Sequence, residues 1–191
     1  MDTPSAARAA LISGSPSPAS KSRVLLAHAG RRLAFLGVET TPIGLETLAA
    51  DALLGRRADP DVTAALDAVL QAEIVVAASP VYRATYTGLL KVFFDLLPAD
   101  GLAGKVAVPI LTGGSPVHLL ALDHGFRPLF ASLGAVVVST GVYGTDAQFR
   151  HGPDAALLDR VDRAVDEAIA LVRGASPEPA EPWNPASSFP A

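Results

Sequence analysis

The stretch Ser13-Gly14-Ser15-Pro16-Ser17-Pro18-Ala19-Ser20-Lys21-Ser22 places hydroxyls and backbone donors immediately before a segment of helical period. An anion at such a junction meets unpaired N–H groups, the positive end of a helix dipole and several hydroxyls within one turn. Ser15, Ser17, Ser20 and Ser22 are the candidate donors, and Lys21 a candidate point charge. The same residues also serve as ordinary loop and N-cap residues, with Ser20 closing the helix start, and this segment alone leaves both readings open. It lacks the spaced glycines of a dinucleotide fingerprint and the lysine-bearing P-loop pattern, so a monophosphate suits it better than a di- or triphosphate.

Residues 79–98 begin Ser79-Pro80-Val81-Tyr82-Arg83-Ala84-Thr85-Tyr86-Thr87-Gly88, a turn rich in rings at the end of an apolar run. Pro80, Val81 and Tyr82 can lay amides and an aromatic face against a flat heterocycle, while Gly88 starts the next helix. The competing reading is a hydrophobic turn in which Tyr82 and Tyr86 pack and expose their hydroxyls. Thr112-Gly113-Gly114-Ser115 adds two positions without a Cβ, where backbone can approach a ring closely or merely start a helix. If these segments lie at the carboxyl ends of neighbouring parallel strands, they meet where open α/β sheets bind ligands. A flat ring carrying one phosphate, FMN, is the ligand that this combination suggests.

The elements that must position these loops alternate between strands and helices, the pattern of a parallel sheet covered on both faces. Strands are expected at Arg8 to Ser13, Val38 to Ile43, Glu73 to Ala78, Lys105 to Leu111 and Ala135 to Thr140. Helices are expected at Ser20 to Leu36, Asp61 to Gln71, Gly88 to Leu97, Ser115 to Leu133 and Pro153 to Val172. Val24, Leu25, Ala29, Leu33 and Leu36 form one apolar stripe, and Val62, Ala65, Leu66, Val69 and Leu70 another. The expected fold is α/β, a flavodoxin-like doubly wound five-stranded parallel sheet of order 2-1-3-4-5, with a Rossmann sheet as its rival. Residues 1–173 read as one domain, and 174–191 as a proline-rich tail carrying Trp183 and Phe189.

The chain has 191 residues, half of them hydrophobic, enough for one domain with a full core. A formal charge of −4 and no Lys/Arg block argue against nucleic acid or an anionic membrane as partner. Zero cysteines exclude disulfides, thiol catalysis and cysteine-ligated metal, and fit a reducing compartment. No apolar run reaches the roughly 18 residues of a membrane span, and no signal peptide is read, so cytoplasm is the expected location. His118 and His124 fall on different helix faces while His28 and His151 have no partner at ligand spacing, so no metal is assigned.

Together these segments resemble the NAD(P)H-dependent FMN reductases, and among them the branch that supplies reduced flavin to two-component alkanesulfonate monooxygenases. The resemblance is carried by Gly14-Ser15-Pro16 with Ser20 and Ser22, and by Pro80-Val81-Tyr82 through Tyr86-Thr87-Gly88-Leu89-Leu90-Lys91. Asp95-Leu96-Leu97-Pro98 and Thr112-Gly113-Gly114 with His118-Leu119-Leu120-Ala121 complete it. It implies that Ser15, Ser17, Ser20, Lys21 and Ser22 bind the FMN phosphate. Pro80, Val81, Tyr82, Arg83, Thr112, Gly113 and Gly114 would line the rest of the cofactor site. Arg83, Lys91, Arg127 and Arg150 are candidates for the 2'-phosphate of NADPH, against a reading of each as a solvated charge.

Two departures from the family pattern bear on function. Ser17 stands where many relatives have arginine, with Lys21 as a candidate replacement charge. His124 stands where some relatives insert a tyrosine that makes a π-type bulge linked to subunit packing and flavin exchange. Local chemistry favours a bulge as well, because Pro128 lacks the N–H that would bond the His124 carbonyl and Gly125 weakens the turn.

The resemblance implies hydride transfer from NADPH or NADH to FMN, with reduced flavin passing to a flavin-dependent monooxygenase in sulfonate sulfur assimilation. A homodimer or homotetramer is expected, with His124 at the interface or solvated. The cofactor carries the reaction, so the protein positions the nicotinamide about 3–3.5 Å from the flavin and no side chain is assigned as catalytic. The alternatives are a flavin-retaining quinone or azo reductase and a flavodoxin-like electron carrier, the latter disfavoured by weak acidity.

Overall fold

The structure is a computed structural model and describes residues 7–174. Its central strand, β3 (Ile74–Pro80), reads Ile-Val-Val-Ala-Ala-Ser-Pro and is buried on both faces up to Ser79. Small and β-branched residues without alternation are what a central parallel strand requires. β1 (Arg8–Ser13) and β4 (Val106–Gly113) flank it in parallel, and β2 (Glu39–Gly44) lies outside β1. The sheet order is β2-β1-β3-β4-β5, the flavodoxin-like order expected.

Alternate strand residues feed two cores. Ala10, Ile12, Val75, Ala77 and Ala107 face α3 (Pro60–Gln71), α4 (Gly88–Phe94) and α5 (Arg127–Ser132). Leu11, Val76, Ala78, Val108 and Ile110 face α1 (Lys21–Phe35) and α6 (Ala155–Val172). The period of two along each strand makes both layers possible. On α1 the buried stripe is Leu25, Leu26, Ala29 and Leu33, whereas Val24, expected there, is exposed. A short α2 (Ala50–Leu53) follows β2 and had no counterpart among the expected elements.

The fifth strand corrects the sequence reading. Instead of one strand from Ala135 to Thr140, β5 (Val136–Val137) and β6 (Val142–Thr145) each pair with β4, and the chain leaves the sheet between them. Side chains hold the break. Glu167 of α6 accepts from the Ser139 amide at 2.6 Å, the Ser139 hydroxyl at 2.6 Å and the Thr140 amide at 3.0 Å. Arg160 donates to the Gly141 carbonyl at 2.7 Å, and Arg127 to the Val138 and Ser139 carbonyls at 3.0 and 2.8 Å. Backbone groups that a ladder would use are thus taken by side chains from elsewhere.

Burial pushes the Glu167 carboxyl upward, but the Ser139 and Thr140 hydrogen bonds outweigh it and hold it below the usual range. A carboxyl lowered in the folded state adds stability above its unfolded value of about 4.3, and loses it as pH falls through the folded value. Glu167→Ala is therefore expected to lower stability by about 1–2 kcal/mol at neutral pH. Urea titrations of both proteins across the acid range check this. The gap should be constant well above the unfolded value of about 4.3 and should narrow as pH falls below it and through the lower folded value.

The expected continuous helix from Ser115 to Leu133 is three pieces: a 3-10 turn at Pro116–Leu120, a π-helical turn at Leu122–Phe126, and α5. His124 and Gly125 lie in the wide turn ahead of Pro128, where the missing N–H and ring crowding were expected to open the helix. α4 stops at Phe94 rather than Leu97, and the Leu96 and Leu97 amides tighten onto Phe93 and Phe94. No helix among the described residues is long and apolar enough to cross a membrane. Residues 175–191 of the expected tail, with Trp183 and Phe189, lie outside the described residues.

Candidate functional site

The first and second loops are tied by Thr87, which is 2% exposed. Its hydroxyl donates to the Gly14 carbonyl at 2.5 Å and accepts from the Leu90 amide at 3.2 Å, while its amide donates to Ser79 Oγ at 3.0 Å. One hydroxyl thus caps α4 and fastens it to the end of β1. The close approach needs a glycine: a Cβ at Gly14 would lie 2.7 Å from Leu90 Cδ1. The Gly14 amide also donates to the Ala78 carbonyl at 2.8 Å. The second and third loops meet where the Val81 amide donates to the Thr112 carbonyl at 2.7 Å, with Pro80 beside Thr112 in register. All three segments therefore converge at the carboxyl end of the sheet.

In the first loop, Ser15 is buried and its Oγ accepts from the Ser17 amide at 3.1 Å, while Ser17 is exposed. Ser20 caps α1 through the Arg23 amide at 3.2 Å and shares a hydrogen bond with Ser22 at 3.0 Å. The amides of Ser15, Ala19, Ser20, Lys21 and Ser22 meet no acceptor among the described residues. No acidic side chain lies in the first turn of α1, so the positive end of its dipole is uncompensated there. This donor set suits a phosphate monoester. Lys21, the candidate charge, instead has its Nζ 2.7 Å from Asp146 Oδ1 and 5.7 Å from the centroid of the Phe149 ring.

The second loop is a tight hairpin. Tyr82 and Thr85 exchange backbone hydrogen bonds of 2.8 and 3.4 Å. Its tip residues Arg83 and Ala84 have φ of 50° and 72°, as primed turns require and as side chains other than glycine resist. Tyr82 is half exposed beside the turn, and Arg83 stands in solvent at its tip. Tyr86 turns inward, its ring centroid 5.3 Å from that of Phe126, and burial raises its phenol. A Cβ on Gly125 would strike Thr85 Oγ1 and lie 3.4 Å from the Tyr86 ring, so the wide turn and the hairpin are fitted to each other.

In the third loop Thr112 is buried, and a Cβ on Gly113 would lie 2.7 Å from the Tyr143 hydroxyl. That hydroxyl donates to the Ser115 carbonyl at 2.6 Å. Burial and the nearby Asp146 charge raise the Tyr143 phenol, keeping it a donor at neutral pH. Gly114 faces Asp146, and His118 backs onto Gly113 with Nδ1 buried and unpartnered.

Of the cations considered for a 2'-phosphate, Lys91 pairs with Asp95 and Arg127 with Asp123, while Arg150 is exposed. His28 pairs with Asp162 at 2.8 Å, and no group of three or more metal-ligating side chains occurs among the described residues. Sequence reasoning missed Thr87, Ser79, Tyr143 and Asp146. Only Thr87 left a local trace, a threonine directly before the helix-starting Gly88.

Residues 7–149 match the family described as NADPH-dependent FMN reductase. The chain belongs to that family. It is 37% identical over 165 residues to FMN reductase (NADPH) of Escherichia coli K12, covering 83% of this chain and 86% of that protein. It is 44% identical over 99 residues to the NADH-dependent FMN reductase SfnF of Pseudomonas fluorescens, 51% of this chain and 53% of that one. Among solved structures, the apo form of NADH:FMN oxidoreductase (EMOB) superposes with a TM-score of 0.80 at 36% identity, covering 91% and 92% of the two chains. A flavodoxin from Streptococcus pneumonia TIGR4, at TM-score 0.61 and 17% identity, shows the fold alone. As an NADPH-dependent FMN reductase family member, this chain is an oxidoreductase that uses FMN with NADPH or NADH.

Proposed function

We propose that the three loops hold FMN as an exchangeable substrate and that the reduced flavin leaves for a flavin-dependent monooxygenase, in sulfonate sulfur assimilation. The observation that carries the flavin site is the meeting of the three loops at the carboxyl end of the sheet, and the exposed Lys21–Asp146 pair supports exchange by offsetting the one cation of the phosphate loop. The phosphate is then held by neutral donors: the α1 amides with Ser15, Ser17, Ser20 and Ser22.

Bound FMN supplies the hydride-accepting ring. Pro80, Val81 and Tyr82 form one wall against it, and Thr112, Gly113 and Gly114 another. Gly113 and Gly114 admit backbone donors close to where negative charge develops, a preorganised contribution that needs no proton-transferring side chain. Tyr82 and Arg83, exposed on the hairpin, stand where the nicotinamide donor enters. The working protein is a cytoplasmic homodimer or homotetramer. His124 joins the interface from the exposed side of the wide turn, next to the exposed Val117, Leu119 and Leu120.

Steady-state oxidation of NADPH and NADH with each free flavin, paired with gel filtration of the flavin-loaded protein, tests this. Saturable dependence on added FMN and loss of flavin on the column are expected. Flavin retained through the column, with a quinone as the preferred acceptor, would overturn the supply role.

A further inference from the structure

The break in the fifth strand sets one carboxylate between two of the three loops. β6 pairs with β4 so that Thr145 stands beside Gly113, and Asp146 follows directly at the glycine loop. Its Oδ2 lies 3.5 Å from where a Cβ on Gly114 would be. Its Oδ1 meets Lys21 Nζ of the phosphate loop at 2.7 Å. The backbone here is fixed, because Gln148 Oε1 accepts from the Thr145 amide at 3.0 Å and from Thr145 Oγ1 at 3.2 Å, capping the 3-10 turn Asp146–Phe149.

Asp146 thus carries a charge that acts toward both ends of the proposed flavin. Toward the phosphate it offsets the loop's one cation. Toward the ring, Oδ2 meets no donor among the described residues, and its charge is felt in the third loop, where with burial it raises the Tyr143 phenol. Lys21 is its one ion-pair partner among the described residues. Both side chains of the pair are about half exposed, so solvent screens them and the effects to expect are moderate.

Hydride transfer gives this position its consequence. NADPH gives up a hydride and becomes NADP+, and the flavin that accepts it gains one negative charge until a solvent proton follows. Amides of the glycine loop ease the appearance of that charge. A carboxylate beside the same loop opposes its retention, since like charges repel and screening at a partly exposed site reduces the repulsion without abolishing it. We propose that Asp146 sets which redox form of the flavin leaves, weakening the hold on reduced flavin more than the hold on oxidised flavin. This rests on the flavin-site reading above and gives exchange a direction, with oxidised FMN entering and reduced FMN departing.

The test is equilibrium binding of FMN and riboflavin, each oxidised and each reduced with dithionite under anaerobic conditions, to the wild type, Asp146→Asn and Asp146→Glu. Riboflavin lacks the phosphate, so its two forms report the ring alone. Asp146→Asn should tighten reduced riboflavin about threefold and leave oxidised riboflavin within about twofold. It should tighten oxidised FMN about threefold through the freed Lys21, and reduced FMN about tenfold because the two factors multiply. Asp146→Glu keeps the charge and should restore the wild-type pattern. If the wild type binds no FMN, the flavin-site reading falls and this one with it. If FMN binds and Asp146→Asn moves no flavin, or moves oxidised and reduced forms by the same factor, the release role alone is overturned. A glutamate variant that behaves like the asparagine one would likewise overturn it, since the charge would then not be the cause.

Discussion

Ser20→Asp is expected to weaken FMN binding by roughly a hundredfold while leaving the fold as stable as before. Aspartate caps a helix as well as serine does, and its charge favours the positive end of the dipole, so α1 should form unchanged or slightly strengthened. The same carboxylate stands where the phosphate is proposed to bind. Like charges about 4 Å apart at a partly exposed site repel by up to about 4 kcal/mol, and screening leaves roughly 3 kcal/mol. Riboflavin carries no phosphate and should bind the variant and the wild type alike. Dissociation constants for both flavins, with a melting curve, decide the matter: equal FMN affinity in the two proteins would remove the phosphate from the head of α1.

Thr87→Val should cost about 2–4 kcal/mol of stability, the sum of a lost cap on α4 and a buried Gly14 carbonyl left without its donor. For a chain of this size that lowers the melting temperature by roughly 5–15 °C. Valine matches threonine in shape, so packing is spared and the hydroxyl alone is tested. The tie between the first and second loops goes with it, and FMN affinity should fall about tenfold or more even well below the melting point. Thr87→Ser should restore both properties. A valine variant that melts and binds flavin like the wild type would mean that these loops are held together some other way.

Much of this architecture was legible because its determinants are local. The unbroken apolar run at 74–78, the alternation of strands with helices and the turn residues of the three loops all act within a few positions. The wide turn at Leu122–Phe126 was legible for the same reason, since Gly125 and Pro128 are close neighbours of the carbonyl they affect. What stayed hidden depends on distant partners. The break between β5 and β6 is held by Glu167, 28 residues beyond Ser139, which no window of strand propensity can register. Lys21 was legible as a candidate phosphate ligand, but its pairing with Asp146, 125 positions away, was not. Thr87 left only its place before Gly88 as a local trace and was missed, because its bond to Gly14 spans 73 positions.

The contact between Gly14 and Leu90 also limits how sequences of this kind diverge. Any side chain at position 14 would push α4 off the end of β1, and the Thr87 hydroxyl would then no longer reach the carbonyl it holds. Positions 14, 87 and 90 are therefore sterically coupled: a larger residue at the first calls for a smaller one at the third or the loss of the bond made by the second.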